Sequence, residues 1–396
     1  MKYFISVGEA SGDIHAAALI DAIKVVDSQA QFAFLGGDLM CKSTGVKPVI
    51  DYREMAYMGF SEVLRHLPQV LGNLKRAKRA LEQFRPDALI LIDYPSFNLK
   101  LARHAHSLNI PIYYYISPKV WAWKEYRVKD IKKYVRRLFS ILPFEVEFFK
   151  RHNYEVTYVG NPSVEEIEMR IPSIPSREDF LASNKLSDRP IMALVPGSRQ
   201  GEIRNNLPIM VEAASRYPQF QAVVAGAPGI EPDTYSRYTS LPVVFDATFN
   251  LMSHAQVALV TSGTATLEAA LLRTPQVVCY RANGSKLSYN LFKHILKIDY
   301  VSLPNLIVND KLIPEMLLHH CNVDEVSAEI EKILPGKPGR GQMLDGYSHM
   351  REILGKSNAA TATATAIYND IKQLRKSHPP THSTTHTFPR ENILVE

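Results

Sequence analysis

Residues 260–280 read VTSGTATLEAALLRTPQVVCY. An apolar run, Val257–Val260, stops at Thr261-Ser262-Gly263-Thr264. A helix-compatible stretch with one acid, Glu268, follows, and a second apolar run, Gln276–Tyr280, comes after Pro275. Short apolar runs bounded by turn residues read as buried strands, and strand–helix–strand in this order is a βαβ unit with parallel strands. The small polar residues at the mouth of the helix admit two readings. They cap the helix and do no more, or their hydroxyl and amide groups hold an anion on the helix dipole while Glu268, one turn inside, takes hydroxyl groups attached to it.

The same pattern extends in both directions. In the N-terminal half, strands are expected at Tyr3–Val7, Gln31–Leu35, Ala88–Ile92, Ile112–Ile116, Arg137–Leu142 and Val156–Val159. Helices are expected between them at about 14–27, Leu64–Phe84, 96–107, Arg127–Lys133 and Val146–His152. Residues 172–188 mix Pro, Ser and charges with little periodicity and read as a domain junction. Beyond them come strand Ile191–Val195, helix Leu207–Arg216, and strands Gln221–Ala225 and Val243–Phe245. The fold class expected is α/β, with two Rossmann-like, doubly wound parallel-sheet domains facing a cleft. Their expected extents are 1–170 and 171–345, followed by a C-terminal helix in 346–376 (about 357–375) and a disordered tail, 377–396.

Composition narrows the classes further. Hydrophobic content of 46% and charged content of 22% suit a folded globular chain. No apolar run approaches the roughly 18 residues a membrane-spanning helix needs, and the opening MKYFISVGEASGD is apolar too briefly for a signal peptide. A cytoplasmic protein is expected. Cys41, Cys279 and Cys321 lack metal-ligand spacing, and an odd count argues against a disulfide framework. The +6 net charge is uneven: Lys119–Arg137 holds eight Lys/Arg against two acids, and Lys75-Arg76-Ala77-Lys78-Arg79 adds a second basic group. Such clusters are solvated helix faces, or they meet phosphates or an anionic membrane surface.

Four strand ends carry chemistry. Gly8-Glu9-Ala10-Ser11-Gly12-Asp13 follows the first strand; its glycines permit a tight turn and its amides suit an anionic or polar ligand. His15, just beyond, is an acid–base candidate. Asp93 ends the most apolar strand of the N-terminal half, where partial desolvation would raise its pKa toward that of a general base; Ser96 reads as the cap of the next helix. Pro196-Gly197-Ser198-Arg199 is the matching turn in the second half, with amides at Gly197 and Ser198 and the planar fork of Arg199 suited to phosphate. Ser262-Gly263-Thr264 would face a diphosphate, Glu268 a ribose, and Tyr280 and Arg281 close the next strand. A diphosphate-plus-ribose arrangement in one half and a carboxylate base in the other point to glycosyl transfer from a nucleotide sugar. No pair of acids is placed to hold a nucleotide-chelating metal, and no cofactor is expected.

With these residues in order, the chain resembles the lipid-A-disaccharide synthases, bacterial glycosyltransferases of the two-Rossmann-domain GT-B type. The resemblance runs through GEASGD (8–13), MGFSEVL (58–64), IDYPSFN (92–98), SPKVWAW (117–123), LPFE (142–145), VGNP (159–162), LVPGSR (194–199), TSGTATLE (261–268) and YVSLPNL (300–306). It implies an inverting, metal-independent hexosyltransferase of lipid A and lipopolysaccharide synthesis. The enzyme would join UDP-2,3-diacylglucosamine to 2,3-diacylglucosamine 1-phosphate (lipid X), giving a β-1,6-linked disaccharide 1-phosphate and UDP. It implies Asp93 as the essential carboxylate and puts Arg199, Ser262–Thr264, Glu268 and Asn305 near the nucleotide. Ser117, Lys119 and Trp121 of SPKVWAW join the substrate-binding candidates. The family often has a small residue at Lys119 and Thr at Ala10. Acylated substrates imply a peripheral protein on the cytoplasmic face of the inner membrane, with Met55–Leu71 as the acyl-facing surface. A monomer or homodimer is expected, its C-terminal helix returning to the N-domain or exchanged with a partner chain. The rivals are another GT-B enzyme, a UDP-sugar epimerase, and a basic nucleic-acid or membrane-surface module; no nucleic-acid partner is expected.

Overall fold

A computed structural model describes residues 1–55, 67–122, 124–261, 263–281 and 299–377. Most of the Met55–Leu71 surface, the MGFSEVL segment, Trp123, Ser262 and the tail beyond Ser377 fall outside these residues.

Two parallel sheets form the chain. The first holds β1 (Lys2–Ser6), β2 (Gln31–Gly36), β3 (Ile50–Asp51), β4 (Ala88–Ile92), β5 (Ile112–Tyr115), β6 (Arg137–Ser140) and β7 (Thr157–Tyr158). Its order is β3-β2-β1-β4-β5-β6-β7. The second holds β8 (Ile191–Val195), β9 (Gln221–Gly226), β10 (Val243–Phe245), β11 (Ala255–Val260), β12 (Gln276–Tyr280) and β13 (Glu315–Leu317), in the order β10-β9-β8-β11-β12-β13. Central strands such as Ala-Leu-Ile-Leu-Ile in β4 are apolar at every position because both faces are covered. Leu89 and Leu91 pack with Phe4, Leu81 and Leu101 on one face, whereas Ile90 and Ile92 pack with Tyr3, Ile5 and Ile367 on the other.

Each sheet reverses its strand order at one place, between β1 and β4 in the first and between β8 and β11 in the second. Loops leaving adjacent strands in opposite directions open a crevice there, at the carboxyl ends. Register makes the neighbours explicit. Ser6 lies opposite Leu91, so the turn after β1 flanks the turn after β4; Val260 lies opposite Val195, so Thr261–Thr264 flanks Pro196–Arg199.

The C-terminal helix, Ala359–Ser377, packs on the Ala10–Val26 helix, and its Ala364, Ile367 and Ile371 enter the N-domain core. One buried acid pins it. Asp370 accepts from the Tyr113 hydroxyl (2.6 Å) and from Arg136 Nε (2.5 Å) and Nη2 (2.9 Å). Burial works to raise its pKa, but the bonds from Arg136 and Tyr113 outweigh it and hold the group below the usual carboxylate range.

Candidate active site

Four turns meet at the two switch points, and the N-domain pair is locked together. Gly8 packs against the Tyr94 ring, where a Cβ would come within 2.3 Å of the ring carbons, so only glycine fits. Asp93 and Tyr94 are both left-handed, with φ 43° and 46°. Non-glycine residues held there store strain that the surroundings must over-determine, and such strain concentrates at functional sites. Here Asn98 Nδ2 donates to the Asp93 carbonyl (2.7 Å), the Tyr114 hydroxyl donates to the same oxygen (2.6 Å), and the Ser6 hydroxyl holds Asn98 Oδ1 (2.7 Å). Tyr94 donates its hydroxyl to the Met55 carbonyl (2.9 Å). Asn98, Ser6 and Tyr114 were not recognised from sequence; a buried Asn on an otherwise apolar helix face was the available signal.

Burial raises the pKa of Asp93, against the pull of Lys119 and a bond from the Tyr94 amide. Glu9 is raised in the same way, by burial first and then by Asp93, while Arg199 and Lys119 oppose it. Arg199 comes from the other domain, so Glu9 and Arg199 mark where the two crevices face each other. Two carboxyls of raised pKa stand together, with Lys119 of their own domain and Arg199 of the other holding the rise in check.

Around the second switch point, Gly263 adopts φ 154°, ψ −160°, a glycine region, with open space where a side chain would stand. The Thr261 hydroxyl and Asn206 Nδ2 are buried without a hydrogen-bond partner among the described residues. Asn206 Oδ1 accepts from the Arg281 amide (2.7 Å), which puts this side chain at the end of β12. Orphaned buried polar groups are uncommon, and these two leave bonding capacity free beside the β8/β11 crevice. The Pro196–Arg199 turn is satisfied internally, because Glu202 accepts from the Ser198 amide (3.0 Å) and from Arg199 Nη1 (3.2 Å). A carboxylate thus sits at a turn read as anion-binding; its signal was the acid three residues after Arg199. Glu268 is half-buried and, among the described residues, hydrogen-bonds to nothing. Burial raises its pKa, Glu166 adds to the rise and Arg170 opposes it.

Other candidates stand elsewhere. Ala10–Asp13 form the first turn of the Ala10–Val26 helix, not a loop. Asp13, 3% exposed, accepts from the amides of Gly37 (2.7 Å), Leu39 (3.1 Å) and Met40 (3.4 Å), so it caps the Asp38–Thr44 helix and does not face a ligand. Gly12 is buried against Val7, and Ser11 is exposed. Asn305 is fully buried; it donates to the Ile313 carbonyl and Glu315 and accepts from the amides of Leu312 and Ile313, which leaves it no group to offer a nucleotide. Its role is to hold the approach to β13. Ser96 lies inside the Pro95–Ser107 helix, whose cap position is Tyr94. His15 is half-buried, its pKa lowered by burial, and its charged neighbour is Glu166, not Asp93. Tyr280 is half-buried at the end of β12.

Ser117 and Trp121 turn inward. The Trp121 indole N–H donates to Glu145 Oε1 (2.9 Å), Ser140 donates its hydroxyl to the same carboxyl, and the Ser117 hydroxyl lies close enough to help hold its pKa down. Glu145 is 1% exposed; burial pushes its pKa up to about 7, against these bonds and Lys119. The loop is anchored from below, which leaves Lys119 exposed at its tip beside Asp93 and Glu9. Among the described residues no three His, Cys, Asp or Glu side chains converge as a metal centre would require.

A profile described as lipid-A-disaccharide synthetase matches residues 3–366. A lipid-A-disaccharide synthase of Myxococcus xanthus is 38% identical over 376 residues, which span 92% of this chain and 96% of the relative. That of Acidobacterium capsulatum is 34% identical, spanning 94% and 96%. Among solved structures, a UDP-GlcNAc 2-epimerase from Neisseria meningitidis bound to UDP-GlcNAc superposes with a TM-score of 0.66 at 14% identity, covering 93% of this chain and all of that one. One from Methanocaldococcus jannaschii, in complex with UDP-GlcNAc and UDP, gives 0.62 at 13%, with the same coverage. At such identity these structures speak for the fold alone, which is the two-domain GT-B arrangement.

Proposed function

The chain belongs to the lipid-A-disaccharide synthetase family, and on that premise we propose how its two crevices divide the work of a glycosyltransferase of lipid A biosynthesis. The donor is UDP-2,3-diacylglucosamine, seated at the β8/β11 crevice; the acceptor is lipid X, seated at the β1/β4 crevice. The observation that carries this division is that Asp93, a carboxyl of raised pKa on a left-handed backbone, stands beside Glu9, which in turn feels Arg199 of the other domain.

Asp93 takes the proton of the acceptor 6-hydroxyl while that oxygen bonds to the anomeric carbon of the donor. The bond from that carbon to the β-phosphate oxygen breaks on the opposite face, and UDP leaves with the electron pair, so the configuration inverts. Arg199, with the start of the Thr264–Leu271 helix, faces the charge that gathers on the leaving diphosphate. Glu202 keeps Arg199 aimed before the nucleotide arrives. Glu268 accepts hydroxyls of the ribose, a ligand for a carboxylate that has no hydrogen-bond partner among the described residues.

No helix among the described residues is long and apolar enough to cross a membrane. The acylated substrates are met by a peripheral surface built from the start of the Leu67–Phe84 helix, where Leu71 is 51% exposed, and from Lys75, Arg76, Lys78 and Arg79 further along it.

The test of the donor site is Glu268→Ala. Losing a carboxylate that binds two hydroxyls is expected to raise the KM for the UDP-sugar by about a hundredfold or more, with kcat changed less, since hydrogen bonds to a charged group contribute about 1.5–3 kcal/mol each. Steady-state kinetics at saturating acceptor checks it. An unchanged KM would make Thr261–Glu268 a capped helix only.

A further inference from the structure

A cavity of about 240 Å³ opens beside Asp93 and divides by chemistry. Val70, Leu71, Leu74 and Phe97 give it an apolar lining, Glu9 and Asp93 bring carboxyls to it, and the N-terminal end of the Pro95–Ser107 helix adds Ser96 and Lys100. Lys100 makes no hydrogen bond or ion pair among the described residues, although carboxyls share its cavity. Arg127 reaches the same end: its Nη2 donates to the Ser96 hydroxyl (2.7 Å), and its other N–H groups have no acceptor among the described residues.

We infer that Lys100 and Arg127 read the phosphate of the acceptor and so fix which end of that amphiphile faces Asp93. This rests on the reading of the β1/β4 crevice as the acceptor site. Lys100 and Arg127, neither of them ion-paired among the described residues, offer an anion two cations near Ser96. An ammonium point charge and a guanidinium fork together suit a phosphate monoester. The apolar wall takes acyl chains. In a hexosamine 1-phosphate the phosphate on C1 and the 6-hydroxymethyl group on C5 flank the ring oxygen. Seating the phosphate at Lys100 therefore fixes where the 6-hydroxyl stands relative to Asp93. Neither cation touches the reacting atoms; their effect is on acceptor choice and orientation.

The experiment compares two acceptors in mixed micelles, 2,3-diacylglucosamine 1-phosphate and the same acylated sugar without its phosphate. Wild-type enzyme is expected to prefer the phosphorylated acceptor in kcat/KM. Lys100→Met is expected to reduce that preference about tenfold and Arg127→Met by a similar factor, both by raising the KM for the phosphorylated acceptor alone. The KM for the UDP-sugar and the rate with the dephosphorylated acceptor should stay where they were, a split that a merely destabilised helix would not give. A wild-type enzyme indifferent to the phosphate, or variants that keep the full preference, would overturn the inference while leaving the acceptor site in place. Wild-type enzyme that glycosylates neither acceptor would overturn the parent reading, and this inference with it.

Discussion

Asp93→Asn is expected to lower kcat by about 10²–10⁴-fold, the contribution of a positioned general base, while UDP still protects the protein against thermal unfolding. The substitution changes one oxygen to nitrogen and keeps the turn. Asn tolerates a left-handed backbone, and the bonds from Asn98 and Tyr114 go to the main-chain carbonyl of residue 93, not to its side chain. What is lost is the ability to accept a proton. The pH profile sharpens the test. The base must be ionised, and burial places its pKa above the ordinary carboxylate value. The wild-type kcat/KM therefore falls as pH drops through that raised pKa, with the acid limb displaced upward. In Asp93→Asn this limb should vanish from a uniformly low rate. Near-normal turnover would remove Asp93 from the role and move attention to His15, which burial keeps neutral and able to accept a proton.

The second large effect is expected at Arg199. Its guanidinium stands at the end of β8, paired with Glu202 and close enough to Glu9 to lower that group's pKa. As the anomeric bond breaks, negative charge accumulates on the diphosphate, and a fixed cation stabilises it more in the transition state than in the ground state. Arg199→Ala is expected to lower kcat/KM by about 10²–10³-fold, the range seen when one such donor is removed. The side chain lies on the surface, with 66% of it exposed, so folding should be little affected. Arg199→Lys keeps the charge but loses the planar two-pronged fork, and only part of the rate should return. Equal rates in Lys and Ala variants would mean that charge at this position does not reach the leaving group.

The sequence and the structure agree best where burial is complete. Ala88–Ile92, Ile191–Val195, Val243–Phe245 and Gln276–Tyr280 have the bounds read from their apolar runs, because strands covered on both faces leave an unbroken signal. Edge strands were missed: Ile50–Asp51 and Glu315–Leu317 are too short to show a pattern. The helix expected at Leu207–Arg216 begins at Gln200, since its first turns are polar, and Pro208 is accommodated within it. The stretch 172–188, read as irregular, contains the Arg177–Ser183 helix, capped by the Ser176 hydroxyl oxygen accepting from the Asp179 amide (3.1 Å). Ser-x-x-Asp before an apolar pair was a readable cap.

At the site, glycine and proline turns after buried strands were legible as places. What each side chain does there was less so. Asp13 has its bonding filled by backbone groups more than twenty residues away, Asn305 by the loop that follows its own helix, and Glu145 is surrounded by Ser117, Trp121 and Ser140, pairings that no local pattern announces. The same holds for Asn98, whose partners are Ser6 and Asp93.

The most direct test of two crevices exchanging one sugar is product analysis. Purified protein would be supplied with UDP-2,3-diacylglucosamine and 2,3-diacylglucosamine 1-phosphate, and the lipid product identified by mass and by the coupling constant of its new anomeric proton. A tetraacyl disaccharide 1-phosphate with a β-1,6 linkage, formed with one UDP per linkage and only when both substrates are present, is the predicted result. UDP release without a disaccharide, or epimerisation of the UDP-sugar in place of transfer, would contradict it.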